Sequence, residues 1–243
     1  MAGVAWSLVA GLGTPLGGLL VAALGRPTRR ILGTLLGFAA GVMIGVVVID
    51  LIPSSLRIGT PISVAAGVAA GLVLMATLEA AVPRPAVNLW ARSQSKQTYL
   101  RMGYLITAGI ALHNMPEGLA IGAGFADSAG LGLAVALAIG LHDVPEGMGV
   151  AAPLRLAGVS VGPVMALTTL AGLCTPVGAL IGQALFGISE TFIAAGLALA
   201  GGAMVYIVRS EVWPEARSQS VAGARLGLVV GFAASCLVPL LGV

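Results

Sequence analysis

Residues 104–125 read YLITAGIALHNMPEGLAIGAGF, and residues 131–152 read LGLAVALAIGLHDVPEGMGVAA. Each is an apolar run with one polar motif set inside it. The first motif is His113-Asn-Met-Pro-Glu-Gly118 and the second is His142-Asp-Val-Pro-Glu-Gly147. These contain the 2 histidines of the chain. On a helix, positions i, i+1 and i+4 fall on one side, with i and i+4 nearly superposed. His113, Asn114 and Glu117 therefore share a face, as do His142, Asp143 and Glu146. Two such faces, brought together, make a metal site of nitrogen and oxygen ligands.

The surrounding chain says what solvent those motifs sit in. Hydrophobic residues make up 58% of the 243 residues and charged residues 9%, with a mean hydropathy of +1.05. A soluble domain carries roughly 25% charged residues. The composition predicts a multi-pass integral membrane protein, all-α, forming a single transmembrane domain over residues 1–243. A span takes about 20 residues, so eight fit. The net charge of +3 is accounted for by loop topology, and no nucleic acid partner is expected. Cys174 and Cys236 lie in apolar runs and read as buried small side chains rather than a disulfide framework.

The expected segments are Gly3–Leu24, Ile31–Ser55, Ile62–Val82, Tyr104–Phe125, Leu131–Ala152, Gly162–Leu185, Thr191–Val208 and a last one after Arg225. Pro83–Arg101 reads as a cytoplasmic loop and Arg209–Arg225 as a polar linker. Basic residues favour cytoplasmic loops. With both termini outside, Arg26, Arg29, Arg30, Arg84, Arg92, Lys96, Arg101, Arg155, Arg209, Arg217 and Arg225 all fall inside. Of the 12 basic residues, Arg57 alone falls outside. The asymmetry predicts eight helices with both ends outside, in the cell membrane. Gly37, Gly41 and Gly45, four apart, predict either close packing within the bundle or a dimer seam.

Ionisable residues within spans are costly and mark sites or pathways. Here they are Asp50, Glu79, His113, Glu117, His142, Asp143 and Glu146. The two motif-bearing segments run in opposite directions, so their motifs form an inverted pair near mid-membrane, where transporter sites lie. Pro116 and Pro145 have no N–H for the carbonyls of Leu112 and Leu141, and those carbonyls need another partner. A cavity holding water or a cation supplies one. Glu79 reads as a carboxylate paired with a loop.

With these residues in view, the chain resembles the ZIP family of divalent-metal transporters. The two His-containing motifs match that family's fourth and fifth spans. Gly37-Phe-Ala-Ala-Gly-Val-Met-Ile with Asp50-Leu-Ile-Pro is similar to its second, and Leu170-Ala-Gly-Leu-Cys-Thr-Pro-Val-Gly-Ala to its sixth. The resemblance implies eight helices, a homodimer, no cofactor, and a transported divalent metal. Zinc comes first among zinc, iron, manganese and cadmium, although the ligand types suit several of them. It also implies metal ligation by His113, Asn114, Glu117, His142, Asp143 and Glu146, with Met43 facing the centre and Asp50 on the entry path. Three departures stand out. His142 replaces a frequent Gln and adds a nitrogen ligand. Thr175 stands where the sixth span often has Glu. Residues 83–101 lack the histidines common in that loop.

Two function classes follow. One is a transporter. The other is an intramembrane metal hydrolase, which needs a closed ligand set, an open position for water and a general base. No segment suited to recognising a peptide or lipid substrate appears, which favours the transporter. With neutral histidines the six-residue cluster carries −3. One divalent ion leaves −1 and two leave +1, so one well-held metal is expected, with a weaker second position beside Asn114 and Asp143.

Overall fold

The computed structural model describes residues 2–25, 28–81, 92–185 and 190–237. Among these it is helical, with no strand. The first apolar stretch is two helices, α1 (Ala2–Gly11) and α2 (Gly13–Ala23), separated at Leu12. Pro15 explains the division, because it cannot donate to the Gly11 carbonyl four residues earlier. The second stretch is α3 (Arg29–Val46), a π-turn (Val47–Leu51) and α4 (Ile52–Ile58). Thr28 caps α3, its hydroxyl accepting from the Ile31 N–H at 3.3 Å. Pro53 follows the π-turn and removes the donor that the Ile49 carbonyl would otherwise use.

The remaining helices are α5 (Pro61–Ala81), α6 (Arg92–Asp127), α7 (Ala129–Leu156), α8 (Val161–Gly172), α9 (Cys174–Leu185), α10 (Glu190–Ile207), α11 (Trp213–Gln219) and α12 (Val221–Leu237). A second π-turn, Val208–Val212, joins α10 to α11. Helix α8 gives way to α9 at Leu173, three residues before Pro176, as α1 gives way to α2 before Pro15.

Six helical stretches are long and apolar enough to cross a membrane: Ala2–Ala23, Arg29–Ile58, Pro61–Ala81, Gly132–Leu156, Val161–Ala184 and Ala194–Gln219. The sequence predicts eight. In α6 the polar His-Asn and Glu of the motif dilute the apolar run. Helix α12 is described over 17 residues, as far as Leu237, where the described residues end. Two boundaries move as well. Of the expected loop 83–101, residues 92–101 are the first turns of α6, and 83–91 lie outside the described residues. The expected linker after Val208 is instead helical as far as Gln219, because the π-turn absorbs Pro214 without ending the helix.

The first and sixth stretches share more than a break. Gly11, Thr14, Pro15 and Gly17 correspond to Gly172, Thr175, Pro176 and Gly178, each pair 161 positions apart. The same offset relates Met43 to Met204, Asp50 to Glu211 and Pro53 to Pro214, and it superposes the two π-turns. The packing repeats too. Helix α12 lies along α3 as α5 lies along α10, and α9 lies along α6 as α2 lies along α7. The chain is thus two three-part units flanking the motif pair α6 and α7.

Close backbone contact holds these pairs together. A methyl group on Gly37 or Gly41 would strike the carbonyls of Ala224 and Leu228, and one on Gly45 would strike Ser235. Helix α12 therefore occupies the glycine stripe of α3, which settles that stripe as packing within the bundle. The apolar core, including Leu36, Ile106, Ile110, Leu154 and Met204, runs between the units. At one end of α5 and α6, Arg101 Nη2 lies 3.4 Å from Glu79 Oε1 and donates to the Glu79 carbonyl at 3.1 Å. Its Nη1 is 3.6 Å from Glu211, and the Tyr206 hydroxyl donates to Glu79 Oε2 at 2.6 Å. Glu79 is therefore paired, as expected, with a residue from the stretch 83–101. Cys174 and Cys236 are free thiols; Cys236 is exposed and Cys174 half-buried, so neither is fully buried as the sequence suggested.

Candidate metal centre

Helices α6 and α7 carry the two motifs past their prolines without ending, so each His–Glu pair keeps its i, i+4 spacing on one face. The helices pack against each other with those faces inward. His113, Asn114, Glu117, His142, Asp143 and Glu146 are all buried. The structure brings His113, Glu117, His142 and Glu146 together, one ligating atom from each lying within 4.8 Å of all the others. Zinc bonds of about 2.0–2.2 Å to nitrogen and oxygen put neighbouring ligand atoms in a tetrahedron on the order of 3.3 Å apart, so modest inward movement closes this set on an ion.

Glu117 is the hub. Its Oε1 is 2.7 Å from His113 Nε2 and 2.6 Å from His142 Nε2. Glu146 Oε1 is 3.5 Å from His113 Nε2. Both Nε2 atoms thus point at one point from opposite helices. Several oxygens here have no hydrogen-bond partner, among them Glu117 Oε2 and both carboxylate oxygens of Glu146. Unpaired buried carboxylate oxygens are expensive. A cation is the partner that satisfies several of them at once.

Asn114 and Asp143 stand beside this set. The Asn114 amide donates to the Ala171 carbonyl at 3.0 Å, while its Oδ1 has no partner. Neither oxygen of Asp143 has one. Thr175 is fully buried with an unpartnered hydroxyl, and so is Thr14. Thr14 escaped the sequence reading. Its signal was present in the repeat Gly-Leu-Gly-Thr-Pro against Gly-Leu-Cys-Thr-Pro, visible only when the first segment is compared with the sixth.

A cavity of about 770 Å³ leads to the cluster. Asp50, Ser54 and Arg57 line one part of it and Glu117 and His142 another. Asp50 accepts a hydrogen bond from Ser54 at 3.0 Å, and Arg57 donates to that same Ser54 hydroxyl at 3.3 Å. Asp50 is thus on the cavity wall. Met43 is fully buried in the apolar core; its neighbours Val42 and Val46, rather than Met43 itself, line the cavity.

Comparison with known proteins bears on the same residues. A family profile described as ZIP Zinc transporter matches residues 90–238, which include both motifs. The zinc transporter GufA of Myxococcus xanthus is 44% identical over 130 residues, covering 53% of this chain and 51% of GufA. The chain spans about half the length of that relative. Longer matches are to the zinc transporter ZTP29 of Arabidopsis thaliana, 32% identical over 86% of this chain and 82% of the relative, and to the zinc transporter ZupT of Corynebacterium glutamicum, 36% identical over 93% and 94%. A profile covering most of the chain, near-full-length relatives and a buried His/Glu cluster on the matched motifs agree: the chain belongs to the ZIP zinc transporter family.

Proposed function

We propose that this protein carries zinc across the membrane toward the cytoplasm, binding it at the centre formed by His113, Glu117, His142 and Glu146. The observation that carries this reading is the convergence of four ligating atoms within 4.8 Å on two proline-containing helices, reached from a cavity. A hydrolase is not supported, since ZIP family members are carriers. Asp50 serves as an entry carboxylate, drawing cations into the cavity before they reach the histidines. Asn114 and Asp143 provide a weaker second position. Met43, in the apolar core beside the cavity-lining Val42 and Val46, reaches the ion only as it passes, and its thioether favours softer ions.

The chain crosses the cell membrane eight times with both termini outside, α6 and α12 being the two crossings of lower apolar character or shorter described length. The basic asymmetry supports this topology. The family resemblance supports a homodimer; a monomeric mass in nanodiscs overturns it. The central test is radiolabelled zinc uptake into proteoliposomes. His113→Ala, Glu117→Ala, His142→Ala and Glu146→Ala should each lower uptake at least tenfold while inserting normally, because losing one ligand strands the remaining buried charges. Near-normal uptake by both histidine variants sinks the metal-centre reading. Met43→Leu, similar in volume, should keep zinc uptake and lower the preference for cadmium over zinc; an unchanged preference returns Met43 to packing alone.

A further inference from the structure

The cavity has an order from one end to the other. Asp50 and Arg57, both exposed, line its open end, and His142 and Glu117 line it at the metal centre. It continues past them to Leu20, Phe38 and Met148. On α7, Met148 is six residues beyond His142, about 9 Å further along the axis at the helical rise. On α3, Phe38 is twelve residues from Asp50, about 18 Å by the same rise. The two helices meet at this depth, since a methyl on Gly149 would sit 3.7 Å from Ala39 Cβ. Helix α2 joins them there: a methyl on Gly17, one turn before Leu20, would strike the Val144 carbonyl and the Met148 nitrogen. The cavity thus passes the metal centre and ends among Leu20, Phe38 and Met148.

At this far end Leu20 and Phe38 offer carbon alone, whereas Met148 carries a thioether. Among the described residues that line the cavity, Met148 is the one with sulfur; Met43 is not part of the wall. The motif pair shows that packing here does not call for sulfur. The two motifs are 29 positions apart, and that offset sets Met148 against Leu119. The positions are equivalent in space as well. Gly178 packs on the Leu119 nitrogen as Gly17 packs on the Met148 nitrogen. Leucine and methionine are close in volume and exchange cheaply in cores. What differs is the surroundings: Leu119 does not line the cavity and Met148 does. The chain places leucine where the position only packs, and a soft, flexible donor where it borders the ion's path.

An ion leaving the centre away from Asp50 enters these apolar walls, where an uncompensated charge is expensive. A thioether offsets part of that cost, and more of it for a soft cation than for a hard one. We propose that Met148 is a specificity-determining residue of the carrier, its thioether receiving soft divalent ions as they leave the His/Glu centre and so favouring cadmium relative to zinc. The proposal rests on the metal reading above and adds to it the residue that grades the ions by softness.

The test uses the full chain in nanodiscs, with carbon-13 at its methionine methyls. There are 8 methionines, and the signal missing from Met148→Leu belongs to Met148. The expected result is a shift of that signal on adding cadmium. In proteoliposomes, Met148→Leu should lower the cadmium-to-zinc uptake ratio at least fivefold while keeping zinc uptake within about twofold, since discrimination is a difference between two ions on one path. Met148→Ile supplies both the assignment and the ratio if Met148→Leu fails to insert. A Met148 signal that cadmium leaves in place overturns the proposal, as does an unchanged uptake ratio in the variant. Zinc uptake by unmodified protein with an unmoved Met148 signal removes this proposal alone. Absence of zinc uptake in unmodified protein removes the metal reading and the proposal with it.

Discussion

Single residues decide the charge of the centre. Thr175 is the most informative, since a carboxylate there would raise the cluster from −3 to −4 and make a two-metal state neutral. Thr175→Glu should therefore convert the weaker position beside Asn114 and Asp143 into a second zinc site, raising stoichiometry toward two per chain and slowing release. Metal analysis of purified protein, with anomalous scattering to place the ions, checks this; a stoichiometry still at one shows that charge does not limit occupancy. The histidines set the pH response. Imidazole must be neutral to ligate and has an ordinary pKa of about 6.5. Protons and zinc compete for His113 and His142, so zinc affinity should fall as pH drops toward about 6. An affinity that is flat from neutral to mildly acidic pH contradicts ligation by the histidines. At this scale the sequence was readable where polarity was anomalous. His113, Glu117, His142 and Glu146 announce themselves inside apolar runs. Thr14 does not, because threonine is ordinary in a membrane helix, and only its missing hydrogen-bond partner distinguishes it.

Elements are positioned by glycine. Gly118 packs on the Thr175 carbonyl and Gly147 on the Thr14 carbonyl, while Gly178 packs on the Met115 carbonyl and Gly17 on that of Val144. These are the same two contacts made twice, fastening α6 to α9 and α7 to α2. Gly118→Ala and Gly147→Ala should each lower thermal stability, by on the order of 1–3 kcal/mol of overpacking, and displace the adjoining motif. Gly196→Ala, where nothing lies within 4 Å of the added methyl, should be neutral or slightly stabilising through helix propensity. Equal melting of all three variants in detergent refutes this account of the packing. Helix existence was legible from apolar runs, and both motif helices continue through Pro116 and Pro145. The ends were less so. Val208–Gln219 looks like a linker because it holds Arg209, Glu211 and Arg217, yet a π-turn carries the helix through Pro214. Composition records polarity, and backbone hydrogen bonding decides continuity.

At the scale of the whole molecule, topology is the open quantity that experiment reads most directly. A cysteine at Ser95 should be shielded from impermeant reagents in intact cells, and one at Ser128 should react. The reverse pattern discards the eight-crossing arrangement with both ends outside. The basic bias around the loops carried this expectation from the sequence. What the sequence hid at this scale was the duplication. It is spread over residues as plain as Gly11, Pro15 and Met43, and becomes apparent once both broken helices and both π-turns are seen in place.

That duplication has a consequence for direction. In the eight-crossing topology the two units are inverted relative to each other. Were they identical, the form open to one side and the form open to the other would be degenerate in energy, and the carrier would rest equally on both. Preference for one side therefore resides in positions where the twins, or the two motif helices between them, differ. At one mouth Asp50 accepts a hydrogen bond from Ser54, whose hydroxyl in turn accepts one from Arg57. At the other its twin Glu211 is tied to Arg101, and Tyr206, the twin of Gly45, is bonded to Glu79. A difference of about 1 kcal/mol between these two latches, the worth of one hydrogen bond, shifts the resting populations roughly fivefold. The molecule's sense of inside and outside is thus held by a few side chains at its mouths, and not by the ligands of the ion it moves.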